Sequence, residues 1–159
     1  MPGASSHSAG AGRLDHRTVT SPPCPVCAKH RGEGPLRGVI LVTEPLVVVS
    51  LRTDGPPGYA FVETRRHVAG LEGLTADEAA AVGRLTSRLT SRLARALTSE
   101  LAVERVHTFV AGLGVDHFHQ HVYVRPQGTP GTTPWWPPVV PTAGPDPSDL
   151  AARLGPLLT

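Results

Sequence analysis

The chain has 159 residues, of which 40% are hydrophobic, and its formal net charge at pH 7 is +2. This length suits one domain with a single core, and the near-neutral charge favours no polyanionic partner. No apolar run approaches the length of a membrane span, so we expect a cytoplasmic protein with no membrane partner. Residues 1–20 are mostly small and polar without apolar periodicity, and we expect them to form a disordered N-terminal tail.

A pair of cysteines, Cys24 and Cys27, follows this tail, and the chain has no others. In a cytosolic protein this spacing is more often a metal or redox motif than a disulfide. A zinc ion held by two thiolates needs two more donors for tetrahedral coordination, and His30 is one candidate. A redox pair stays open as the alternative.

The next part of the chain predicts a sheet and one long helix. Apolar runs bounded by turn residues predict four strands: Val39–Thr43, Leu46–Leu51, Tyr59–Glu63 and Val103–Val110. A capping box of Thr75 and Glu78 begins a helix whose apolar stripe ends at Leu97. The basic stripe of this helix has no interleaved aromatic residues, so we expect a solvated face and no nucleic-acid partner. The last predicted element is a short helix, Asp149–Leu158.

The most informative stretch is Asp116–Val124, in which His117, His119 and His121 alternate with other residues. Successive side chains of a strand point to opposite faces, so a strand here places the three imidazoles on one face. Adjacent imidazoles repel one another when charged, so packing alone explains such a row poorly. Two chemistries remain, a metal site or phosphorus chemistry with an imidazole nucleophile. His107, in the preceding strand, is predicted to lie on a face away from this row.

The sequence His117-Phe118-His119-Gln120-His121-Val122-Tyr123 resembles the motif of the histidine triad (HIT) superfamily, in which alternating histidines precede two apolar residues. The upstream segment Gly58–His67 resembles the family's glycine, apolar strand and basic-basic-histidine sequence. This resemblance implies an α+β domain, an antiparallel sheet with one long helix packed on it, and it implies a homodimer. We place the HIT-like domain at residues 21–126, followed by a Pro/Gly-rich segment at 127–159 that ends in the short helix.

The resemblance also implies the chemistry. His119, the middle histidine, is the expected nucleophile, which attacks the α-phosphorus of a nucleotide ester, anhydride or phosphoramidate and forms a covalent nucleotidyl-histidine. His121 is the expected hydrogen-bond donor to the phosphoryl oxygens. The residues expected to bind substrate are Gly112, Gly114, His117 and Trp135. The expected enzyme is a nucleoside phosphoramidase, a dinucleoside polyphosphate hydrolase or a nucleotidyltransferase.

Some HIT proteins combine a CxxC motif with two histidines to bind a structural zinc ion. Carried onto this chain, that resemblance implies zinc ligands at Cys24, Cys27, His67 and His117. Two alternatives from other classes stay open: a metal-binding or metalloenzyme domain that uses the histidine row, and a nucleotide-binding protein with little turnover. Three alternate residues of one strand span about 13 Å, so one ion cannot easily meet all three imidazoles.

Overall fold

A computed structural model describes residues 23–36, 38–98, 101–138 and 144–159. The predicted N-terminal tail lies outside these described residues. The described helices are α1 (Pro25–His30), α2 (Ala76–Ala96) and α3 (Pro147–Leu158). The described strands are β1 (Val39–Thr43), β2 (Val47–Leu51), β3 (Ala60–Thr64), β4 (Val103–Val110) and β5 (His119–Pro126). Within the described ranges, none of the helices combines the length and apolar character that a membrane span needs.

These strands form one antiparallel sheet in the order β1-β2-β3-β5-β4. Because β5 lies between β3 and β4, residues distant in sequence become neighbours. Glu63 of β3 is opposite His119, and Phe109 of β4 is opposite His121. Residues opposite each other in a ladder share a face of the sheet. The sheet therefore gathers side chains from β3, β4 and β5 on the face that carries His119.

The other face of the sheet forms the hydrophobic core with α2 and α3. Thr75 accepts a hydrogen bond from the Glu78 amide, and the Glu78 carboxylate accepts one from the Thr75 amide, so α2 begins with a capping box. The apolar stripe of α2 then packs against the sheet, with Leu85, Leu89 and Leu93 fully buried. The predicted α+β architecture of sheet and long helix is therefore confirmed.

β5 begins at His119 rather than near Asp116, so His117 directly precedes the strand. One sequence-based expectation about a histidine was wrong. His107 is opposite Tyr123 in the ladder and stacks on its ring at 5.3 Å, so it shares the face of His119 and His121. The orientation of a strand residue depends on its register with the neighbouring strand, which the sequence of β4 alone does not contain.

Candidate active site and metal centre

Four residues with metal-ligating atoms come together beside the sheet. Cys24 is the N-cap of α1 and Cys27 lies in its first turn, and their Sγ atoms lie 3.3 and 3.4 Å from Nδ1 of His117. Nδ1 of His67 lies 3.6 Å from Sγ of Cys27. The four ligand atoms all lie within 4.8 Å of one another. The short helix thus brings both sulfurs to histidines from two other parts of the chain.

The spacing of these atoms fits a tetrahedral ion. With zinc–sulfur bonds of about 2.3 Å and zinc–nitrogen bonds of about 2.05 Å, sulfur and nitrogen ligands of one ion lie about 3.6 Å apart. Nε2 of His117 donates a hydrogen bond of 2.7 Å to the Thr64 carbonyl, which leaves the Nδ1 lone pair facing the sulfurs. Burial lowers the pKa of His117 and favours the neutral imidazole that metal ligation requires. The cluster is compatible with zinc.

The surroundings of the two cysteines in this cluster favour a bound cation. Burial, with Cys24 beside it, raises the pKa of Cys27. Both cysteines are free thiols and neither is bonded to the other. Two neighbouring thiolates repel each other, and a cation bound between them offsets this repulsion. The donor set therefore suits a metal site.

His119 begins β5 next to this cluster. Its Nδ1 lies 2.6 Å from the backbone carbonyl oxygen of His117, so Nδ1 carries the proton and donates it to this hydrogen bond. That tautomer leaves a lone pair on Nε2, and none of the described residues forms a hydrogen bond with this atom. His119 lines a cavity of about 400 Å³ on the face of the sheet opposite α2. An imidazole held in this way has a nucleophilic nitrogen open to a ligand.

His121 lies on the same face as His119, between Tyr59 and Phe109. The Tyr59 hydroxyl lies 2.7 Å from Nδ1 of His121, and the Phe109 ring stacks on the imidazole at a centroid distance of 4.3 Å. Burial, together with His119 and Arg52 nearby, lowers the pKa of His121 to about 4, so this imidazole is neutral near pH 7. When the Tyr59 hydroxyl donates to Nδ1, the ring proton is on Nε2. His121 then offers an N–H donor to a ligand.

The cavity around these two imidazoles combines aromatic walls with charged residues. Its aromatic residues other than histidine are Phe61, Phe109, Trp135 and Trp136. The Phe109 ring contacts the two indole rings at centroid distances of 5.3 and 5.0 Å. Its charged residues are Lys29, Arg52, Asp54 and Glu63. Stacking surfaces with a few polar groups are typical of a site for a small organic ligand.

A buried ion pair lines the cavity beside α1. Nζ of Lys29 donates hydrogen bonds to Glu63 Oε1 at 2.6 Å and to Ser50 Oγ at 2.9 Å, and the two charged side chains are 6% and 2% exposed. Nε2 of His30 donates to the other Glu63 oxygen at 3.0 Å, so His30 is not one of the clustered metal ligands. Burial alone would raise the pKa of Glu63, but His30 and Lys29 lower it below its ordinary value. Glu63 is therefore ionised near pH 7.

Replacing Glu63 with Gln is expected to lower the free energy of unfolding by about 3 kcal/mol, because it leaves the buried ammonium of Lys29 without a counter-charge. Urea unfolding of the variant and the wild-type protein measures this difference. The matched control is Glu33→Gln, which removes a carboxylate paired with Arg31 at the surface, where both side chains are more than half exposed. The control is expected to change the free energy by about 0.5 kcal/mol or less, and equal losses in the two variants would contradict the prediction.

The structure brings only some of the expected substrate-binding residues to the cavity. Gly114 and Trp135 line it, whereas Gly112 and His117 do not. Gly112 is an exposed residue with a φ of +64°, and the His117 ring lies among the metal-ligating atoms. Sequence reasoning missed several residues of the cavity: Lys29, Arg52, Phe61, Glu63 and Phe109. Two signals for them were present, since Lys29 is the only lysine of the chain and Glu63 interrupts an apolar strand.

Solved structures with this fold were found by comparison, although no family model matches the chain and no curated protein matches it significantly. A zinc-bound histidine triad family protein from Mycobacterium smegmatis matches with a TM-score of 0.64 and 19% sequence identity, over 86% of this chain and 93% of that one. A hypothetical histidine triad nucleotide-binding protein from Sulfolobus tokodaii matches with a TM-score of 0.64 and 15% identity, over 85% and 91%. A histidine triad protein from Sinorhizobium meliloti matches with a TM-score of 0.57 and 21% identity, over 74% and 87%.

These matches extend over most of both chains, and the identities of 15–21% are low. Similarity of this kind concerns the backbone arrangement, because a shared fold does not fix the chemistry of a site. The antiparallel sheet and the helices packed on it match these neighbours in backbone arrangement. The chain therefore has the fold of the histidine triad proteins.

Proposed function

We propose that this protein is a HIT-family nucleotidyl hydrolase or transferase in which His119 is the nucleophile. The observation that carries the proposal is the hydrogen bond from His119 Nδ1 to the His117 carbonyl, because it leaves a lone pair on Nε2 of a ring that lines the cavity. In the first step Nε2 forms a bond to the α-phosphorus, and the bond to the leaving group breaks with its electron pair. In the second step water or another acceptor attacks the phosphorus, and the bond to His119 breaks.

The surroundings of His119 support this chemistry. Phosphoryl transfer places negative charge on the oxygens of the transferred group, so fixed donors aimed at these oxygens lower the barrier. The neutral His121, with its ring held by Tyr59 and Phe109, is the donor that we propose for this role. The aromatic walls offer stacking surfaces to a base, which is consistent with the nucleotide-binding protein from Sulfolobus tokodaii that shares the fold.

We further propose a structural zinc ion bound by Cys24, Cys27, His67 and His117. The spacing of the donor atoms and the zinc-bound Mycobacterium smegmatis protein of the same fold support it. The metal would fix α1 against the segment that leads into β5, and no step of the reaction passes through it. A single ion bound by the three triad histidines is not favoured, because His117 faces the cysteines and His119 Nδ1 is hydrogen-bonded to a carbonyl.

A rapid-quench experiment tests the nucleophile directly. The protein is mixed with a fluorogenic adenosine 5′-phosphoramidate, quenched in alkali, which preserves phosphohistidine, and digested for mass spectrometry. The expected result is a burst of released amine and a nucleotidyl group on the peptide that contains His119, because the intermediate forms before water resolves it. An adduct on another residue, or turnover by direct attack of water without any burst or adduct, would contradict the proposal.

Other parts of the proposal stay predictions. The identities of the base, the leaving group and the final acceptor depend on the contacts that a bound nucleotide makes with the cavity. The homodimer and the cytoplasmic location are likewise predictions. A protein that binds nucleotides with little turnover is the alternative, and it differs from the proposal in giving nucleotide affinity without a covalent adduct.

A further inference from the structure

The cavity offers few free positive charges to a bound phosphoryl group. Among the described residues that line it, Lys29 and Arg52 are the permanent cations. The ammonium of Lys29 is buried and donates hydrogen bonds to Glu63 and Ser50, and the Glu63 carboxylate balances its charge. His121 is neutral near pH 7. Arg52 is therefore the permanent cation among these residues that is not part of the buried ion pair.

Among the described residues, Arg52 is held at the cavity by hydrogen bonds that use only part of its guanidinium. Its Nε donates to Asp54 Oδ1 at 2.7 Å and its Nη2 to Oδ2 at 3.4 Å, in a pair that is more than one third exposed on both sides. A guanidinium has five N–H groups, so this pair and a contact to Tyr59 leave donors for a ligand. The Asp54 carboxylate also lines the cavity and offsets part of the Arg52 charge, but an exposed ion pair is weak, so Arg52 can turn its remaining N–H groups to a phosphate.

Arg52 is also connected to the proposed catalytic groups through Tyr59. The Arg52 amide donates to the Tyr59 carbonyl at 2.7 Å, and its guanidinium carbon lies 5.5 Å from the centre of the Tyr59 ring. The hydroxyl of the same tyrosine lies 2.7 Å from Nδ1 of His121. The guanidinium and the imidazole donor thus both contact the same tyrosine, and Arg52 and His121 both line the cavity that contains His119.

We propose that Arg52 is the phosphate-binding residue of this cavity, and that its guanidinium contacts the non-bridging oxygens of the phosphoryl group on which His119 acts. This inference rests on the proposed function. A planar guanidinium suits this role because it binds two phosphate oxygens at once and keeps its charge at every working pH. Asp54 orients the group, and His121, which the Tyr59 hydroxyl contacts, adds a neutral donor.

Binding measurements separate the phosphate contact from the rest of the site. Isothermal titration compares the four common nucleoside 5′-monophosphates with their nucleosides, and the base that binds wild type is used throughout. The wild-type protein is expected to bind the monophosphate at least about tenfold more tightly than the nucleoside, as for a charge-assisted hydrogen-bonded pair. In Arg52→Gln this preference is expected to fall to about twofold or less, with nucleoside affinity unchanged, and Arg52→Lys is expected to keep an intermediate preference.

The control is Arg92→Gln, which removes the same charge from α2 on the other side of the sheet and is expected to keep the full preference. In the kinetic assay Arg52→Gln is expected to lower kcat/KM by about 10²-fold, with the adduct still on His119. A retained monophosphate preference in Arg52→Gln would overturn the inference, and so would an equal loss of nucleoside and monophosphate affinity, which indicates a structural role. Absence of both nucleotide binding and adduct in the wild-type protein would instead overturn the proposed function, and this inference with it.

Discussion

Replacing His119 with Ala is expected to lower kcat/KM for a nucleoside phosphoramidate by on the order of 10⁴-fold or more, because the variant has no atom to form the covalent intermediate. The remaining donors and the aromatic walls still bind the substrate, so the dissociation constant of the nucleotide is expected to change by about threefold or less. Single-turnover kinetics and titration of the product measure the two quantities separately. This division between lost chemistry and retained binding distinguishes a nucleophile from a residue that only shapes the cavity.

The matched control for this variant is His107→Ala. His107 lies on the same face of the sheet and stacks on Tyr123, but it does not line the cavity. Its removal is expected to leave kcat/KM within about threefold of the wild-type value. A second comparison uses His119→Gly with added imidazole, since a free imidazole fits the space of the missing side chain and supplies the same nucleophilic nitrogen. Full activity in His119→Ala, without imidazole, would exclude the covalent mechanism.

The elements that the sequence predicted well are those with a strong local signal. The capping box at Thr75 and Glu78 fixed the start of α2, and the predicted bounds of β1 and β4 agree with the structure. α1 was missed, because six residues with a proline at the first position carry too little periodicity to indicate a helix. The difference is physical, since short helices depend on tertiary contacts, here the cysteine cluster and the Lys29 ion pair.

The candidate site was less predictable than the fold because its residues meet only through the register of the sheet. Alternation within one segment was enough to place His119 and His121 on one face. It could not show which groups the His117 ring contacts, because these lie in α1 and at the Thr64 carbonyl. Nor could it bring Arg52 and Tyr59 beside His121, since these residues are more than sixty positions away and become neighbours only when β5 inserts beside β3.

Removing the proposed zinc is expected to lower the free energy of unfolding substantially. If free zinc exceeds its dissociation constant a thousandfold, binding contributes about 4 kcal/mol to the free energy of unfolding, which corresponds to a Tm shift on the order of 10 °C. Cys24→Ser leaves three of the four clustered ligands and is expected to lower the bound metal from about one ion per chain to a small fraction. Elemental analysis measures the metal, and thermal unfolding with and without a chelator measures the stability.

Loss of this metal is also expected to lower kcat, because His117 belongs to the metal cluster and also holds His119. The His117 ring lies in the metal cluster, and its backbone carbonyl accepts the hydrogen bond that fixes the His119 tautomer. A mobile His117 therefore allows His119 to turn, so kcat is expected to fall while the nucleotide dissociation constant changes little. The control is His119→Ala, which is expected to keep the metal and the wild-type response of Tm to chelator, because its ring is not part of the cluster. Loss of metal in His119→Ala would instead favour an ion bound by the triad, and the nucleophile would have to be sought elsewhere.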